Sequence, residues 1–160
     1  MATQLAQVAH WLDKAEAHAA AKKFDVNTLL TARLAPDQFP LVRQIGSACD
    51  TAKLAVPRLT GKAAPVHADD QVTVAECRTR IAEVVAFMGT VTAADFGCAA
   101  EAKITFPWMP GKYLTGTDYV VAFAMPNLNF HLAHAYAILR HNGVELGKAD
   151  FLGPVPFRDA

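Results

Sequence analysis

Apolar residues recur at helical spacing in four long blocks of this chain, divided by connectors rich in polar residues, proline and glycine. Over residues 2–22, Leu5, Val8, Leu12, Ala15 and Ala19 line one face, flanked by Trp11 and His18, with His10 opposite. The stretch "FDVNTLLTARL" predicts a short helix capped by Asp25 or Asn27. A second long helix follows over residues 40–59. Pro40 suits its first turn, its stripe is Leu41, Ile45, Ala48, Ala52, Ala55 and Leu59, and Pro57 should kink or end it. The connector "TGKAAPVHADDQ" reads as a solvated loop, His67 included. Thr73 and Glu76 form a capping box ahead of a third helix, whose seam is Val74, Cys77, Ile81, Val84 and Met88. Thr92 and Asp95 mark a further turn.

The helical pattern breaks at "AKITFPWMPGKYLTG". Ile104, Phe106, Tyr113 and Leu114 flank a Pro- and Gly-rich turn, which predicts a short β-hairpin. A fourth long helix is expected from a cap at Thr117 or Asp118 to about Asn142, bent at Pro126 and ended by Asn142-Gly143. Residues 144–160 should pack back on the bundle through Val144, Leu146, Phe151 and Leu152, pinned by pairing among Arg140, Lys148 and Asp150. The expected fold is all-α: one domain over residues 1–160, a four-helix bundle with a hairpin between helices three and four.

Composition narrows the function classes. Fifteen basic residues balance fifteen acidic ones without a basic cluster, which argues against nucleic-acid binding. No apolar run reaches bilayer length; the longest is interrupted by Pro126 and Asn127. The N-terminal stretch patterns as an amphipathic helix rather than a signal peptide. The three cysteines contain no CxxC pair, and Cys49 and Cys77 fall on apolar stripes, so inert core thiols and a cytoplasmic location are expected.

The candidate chemistry concentrates in "NLNFHLAHAYAILRHNG", which carries His131, His134 and His141. At about 100° per residue, Leu128, Leu132, Ala135 and Leu139 form the apolar face and His131 its edge. His134 and His141 are two turns apart, roughly 10 Å, too far to share a metal with bonds of about 2 Å. His131 and His134 have a workable spacing for zinc or nickel but need a third ligand, for which Gln44, Asp50 and His18 are the donors to consider. The plainer reading makes His131 a core-edge histidine bonded to a neighbour such as Tyr136 or a polar residue of helix two. That reading requires no cofactor. Arg140, His141 and Lys148 can line a small anionic pocket, or they simply cap a helix end. Trp108 and Met109 at the hairpin tip mark a lid or partner surface, or fold over the bundle end.

The stretches "ARLAPDQFPL", "ITFP", "FAMPNLNFH" and "AYAILRHNGVELGKADFLG", in this order, resemble a bacterial domain-of-unknown-function family (number nineteen ninety-three) from about Leu12 to Gly153. That family is similar to DinB-like proteins. The resemblance implies a helical bundle, often a homodimer, with no assigned activity. In the wider DinB-like group it also implies a divalent metal held by one histidine of helix two and a His-x-x-x-His pair of helix four, and in some members thiol transfer. Here helix two has no histidine, and the positions four residues from His131 are Asn127 and Ala135. Three functional readings stand. The first is a small-molecule site between helices two and four, drawing on Gln44, Asn127, His131, Tyr136 and Arg140. The second is a degenerate metal-dependent thiol transferase using His131 with Asn127 or His134, and the third a protein-interaction module presenting Trp108.

Overall fold

The apolar stripes become buried seams in the computed structural model, which describes residues 1–159. The chain forms α1 (Ala2–Lys22), α2 (Leu41–Thr60), α3 (Val74–Gly89), the strands β1 (Lys103–Thr105) and β2 (Tyr113–Thr115), α4 (Gly116–Asp118), α5 (Met125–His141) and α6 (Lys148–Leu152). Three 3-10 helices (Val26–Thr31, Ala93–Phe96, Ala99–Glu101) and a π-helix (Tyr119–Ala124) complete the helical elements among the described residues. The expected count of four therefore describes only the long helices α1, α2, α3 and α5. Helix α2 packs against α5 and α3, and α1 against α3. One core cluster joins Leu5, Trp11, Ile45, Ile81, Leu128 and Ile138; a smaller one gathers Ala55, Ile104, Phe106, Tyr119 and Ala124 beneath the hairpin. The strands are antiparallel, with Ile104 opposite Leu114.

Helix α3 starts where its sequence says. Thr73 Oγ1 accepts from Glu76 N–H at 3.2 Å, and Glu76 Oε2 accepts from Thr73 N–H at 2.8 Å. The last long helical rod departs from expectation. Thr115 caps it, accepting from Asp118 N–H at 3.1 Å, so Thr117 and Asp118 lie inside α4. Pro126 has no N–H to donate and its ring crowds the carbonyl one α-turn back. The rod accommodates this by widening into the π-helix Tyr119–Ala124 and resumes as α5 with Pro126 in its first turn. Pro57 does not end α2, which continues to Thr60.

The connector between α2 and α3 is largely exposed, as its composition predicts, but charged side chains of both helices hold it and His67 is not solvated. Arg80 of α3 is 3% exposed and reaches both neighbours. Its guanidinium lies 2.8 Å from Asp50 of α2 and 2.8 Å from Asp69 of the connector, and donates to Gln71 Oε1 at 2.7 Å. Gly46 makes room for it: a Cβ there would sit 3.3 Å from Arg80 Nη1. His67 belongs to the same assembly, its side chain 9% exposed. Its Nδ1 accepts from Lys53 Nζ at 3.0 Å and its Nε2 donates to Glu83 at 3.1 Å, while Lys53 also pairs with Asp50 at 2.9 Å. The buried Lys53 ammonium is tolerated because it meets the Asp50 carboxylate and the His67 lone pair.

The C-terminal segment folds back, but through different partners from those expected. Asp150 pairs with Lys14 at 2.7 Å and His10 at 3.1 Å, both on α1, rather than with Arg140 and Lys148. Trp11 Nε1 donates to the Asp150 carbonyl at 2.9 Å, and the Trp11 ring stacks on Phe151. Val144 and Leu146 are buried as expected; Leu152 is half exposed.

Arg80→Met should lower stability by about 2–3 kcal/mol, measured by urea unfolding; Asp50 and Asp69 retain water contact, which keeps the loss at or below the usual range for broken buried pairs. A loss under about 1 kcal/mol would show that the connector does not depend on it. The Lys14 ammonium, with the Gly147 N–H and His10, holds the Asp150 carboxyl down to about 2. Its contribution is therefore complete above its ordinary value of 3.8 and disappears as pH falls toward about 2. In a Trp108→Phe background, Trp11 fluorescence should change across that window, and Asp150→Asn should show the low-pH spectrum already at neutral pH.

Candidate functional site

The α2–α5 seam is apolar except where four polar side chains face one another. Gln44 occupies a stripe position, three residues after Leu41, and is 1% exposed. Its amide Nε2 donates to the Phe39 carbonyl at 3.3 Å, which turns Oε1 toward α5. His131 answers with Nδ1 at 2.8 Å from that oxygen. Because a carbonyl accepts only from the NH2 side of the amide, the Phe39 contact sets the orientation of Gln44, and Gln44 in turn requires the proton of His131 on Nδ1. One turn earlier, Asn127 Nδ2 donates to Thr51 Oγ1 at 2.7 Å, and Thr51 donates to the Ser47 carbonyl at 2.7 Å.

His131 is thus a neutral imidazole with one face of its chemistry already assigned. Burial lowers its pKa below the usual histidine value, and the charges of His134 and Arg43 act in the same direction. Nε2 has no hydrogen-bond partner among the described residues, so its lone pair is left without a protein donor. Around it stand Phe130, whose ring is 5.3 Å from His131 and 4.0 Å from His134, and Arg43, stacked over Phe39 at 5.6 Å. Phe39 and Phe130 are about half exposed.

The other expected site residues lie elsewhere. Tyr136 does not meet His131; its hydroxyl donates to the Leu146 carbonyl at 3.3 Å, holding the chain after α5. Arg140 donates to the Val144 carbonyl and lines a separate cleft with Lys14, His18, Glu145 and Asp150, where its positive charge is offset. His134 Nδ1 is bonded to the Phe130 carbonyl at 2.7 Å, leaving it one nitrogen. Among the described residues no group of three or more His, Cys, Asp or Glu side chains is placed to hold a metal ion; Gln44 and Asn127, which face His131 from α2 and from the preceding turn, are weak metal donors. The buried thiols are protonated, Cys49 pushed up to about 12 and Cys77 to about 11 by burial. Cys98 is exposed. Sequence reading passed over Arg80 and Lys53, although each stands on a helical stripe among apolar residues, which is the pattern of a buried, partnered charge.

These features define a mostly helical bundle with a polar seam and a small antiparallel sheet. The chain matches the family described as Domain of unknown function (DUF1993) over residues 1–152 and belongs to it. It is also similar to a solved structure described as a DinB family member protein from Shewanella denitrificans, with 49% sequence identity, 99% of this chain and 90% of that chain covered, and a TM-score of 0.96. No curated protein matches. No single helix among the described residues is long and apolar enough to cross a membrane.

Nitrogen-15 NMR of the imidazoles should show His131 as the Nδ1-protonated tautomer at neutral pH, titrating below the ordinary histidine value of 6.5. Gln44→Leu should remove that preference and cost about 1–3 kcal/mol, because it leaves a buried donor unpaired. An Nε2-protonated tautomer in the unmodified protein would contradict the hydrogen-bond chain from Phe39.

Proposed function

We propose that this protein binds a small molecule at the surface end of the α2–α5 seam, through a hydrogen bond donated to His131 Nε2. The observation that carries the reading is the fixed tautomer. Gln44 spends the Nδ1 proton of a histidine that burial keeps neutral, which leaves Nε2 as an acceptor without a protein partner among the described residues, with the Phe130 ring beside the imidazole. A buried imidazole in the same seam could have had both nitrogens satisfied by protein; this one has a single unspent acceptor beside half-exposed aromatic rings, which suits a ligand with a donor group next to an apolar or planar body. Asn127 and Thr51 satisfy each other and act as the rigid wall behind the site. The reading assigns no reaction.

The test is a ligand-observed NMR screen of small hydroxyl- and amide-bearing compounds against the full chain, repeated with His131→Ala and Gln44→Leu. Ligands of this site should lose at least tenfold in affinity with His131→Ala and bind more weakly as pH falls through the His131 titration, since a protonated Nε2 no longer accepts. Hits insensitive to both variants would remove the site from consideration. Metal analysis of untagged protein is the second arm. Stoichiometric zinc or nickel, lost in His131→Ala, would replace this reading with a metal centre of the DinB-like kind.

A further inference from the structure

A second cavity lies at the opposite chemical extreme. It opens where the last turns of α2 and α3 meet the 3-10 segments and the π-helix, and encloses about 490 Å3, within the roughly 300–1,000 Å3 of small-molecule sites. Ala55, Leu59, Met88, Phe96, Val120 and Met125 are among the residues that line it. Among the described residues Thr117 is the one polar side chain lining it, and Met1, whose α-ammonium is partly buried, lines it as well. We propose that this cavity binds a small, predominantly apolar molecule.

Three features argue for a ligand of that class. The walls are held apart by backbone. A Cβ at Gly116 would lie 1.7 Å from the Ala99 carbonyl oxygen, so α4 and the 3-10 segment already touch there and cannot close further on the space. The π-helix contributes Val120 and Val121 to the lining, and its wider turn keeps that wall in place without filling the cavity. The chemistry of the wall also selects its occupant. An ammonium would surrender its hydration and meet no acidic side chain, while methionine side chains conform to apolar shapes. Val121, 68% exposed, stands at the mouth, so entry needs no unfolding. The site shares no residue with the His131 seam, and its failure or success leaves that reading untouched.

The neutral fluorophore N-phenyl-1-naphthylamine, titrated into the full chain, should give a saturable emission increase with one site per chain. Ala100→Phe, at an exposed position on the wall, should lower the affinity at least tenfold with an unchanged melting temperature. Val121→Phe should do the same and serves if Ala100→Phe does not fold. Trp108→Ala, which removes the exposed indole of the hairpin tip, should leave the titration unchanged. Non-saturable emission, or binding lost with Trp108→Ala and kept in both wall variants, overturns the proposal. So does a dimer in sedimentation equilibrium that either wall variant converts to monomer, since the cavity then belongs to a contact between two copies.

Discussion

The guanidinium of Arg80 is the point on which the arrangement of helices depends. It is a buried cation at a core position of α3, and it is stable there only because α2 supplies Asp50 and the connector supplies Asp69 and Gln71. Meeting those requirements fixes three things at once: the approach of α3 to α2, the path of a connector that has no regular structure, and a glycine at position 46. Asp50 then faces Lys53, Lys53 faces His67, and His67 faces Glu83. The loop is ordered by charges reaching outward from helices, since it has little apolar surface of its own to bury.

The seam between α2 and α5 follows the same logic at a neutral level. Gln44 and Asn127 are amides in an apolar interface; Gln44 pairs with the Phe39 carbonyl and His131, and Asn127 with Thr51. Paired polar groups of this kind set the relative register of two helices more sharply than alanine and leucine contacts alone. They also explain why the imidazole keeps one nitrogen free: the interface consumes exactly the proton needed to lock Gln44 and nothing more. At the other end of the bundle Arg58 of α2 donates to the Tyr119 hydroxyl of the π-helix at 3.0 Å, and the packing beside that pair leaves space.

Much of this was legible in the chain, and what was not shares a cause. The capping box at Thr73 and Glu76, the apolar stripes, the hairpin and the cysteine environments are set by residues within a few positions of one another, so spacing reveals them. His131 at the edge of the apolar face was legible for the same reason, and Gln44 was visible as a polar residue of helix two. His67 was not, because its partners lie 14 and 16 residues away on two different helices. Asp150 was misassigned to neighbours in sequence when its partners stand 140 and 136 positions earlier, on α1, as His10 and Lys14. Tyr136 and Arg140 share a helix with His131, but the helix turns them toward the chain that follows it, and only the path of that chain shows what they hold. Pro126 announced a disturbance without saying whether the rod would bend, break or widen.

The widening has an effect on the phase of the rod. A π-turn takes in one more residue than an α-turn, so side chains before it are rotated by about 100° relative to the positions a continuous α-helix would give them. The stretch containing Val120 and Val121 and the stretch containing Asn127 and His131 therefore obey two separate registers on one continuous backbone. Each face is free to vary under its own packing rules. A one-residue gap near residues 119–124, in an alignment of related chains, would mark a relative that has brought the two registers back into step and turned its valines away from the end of the bundle.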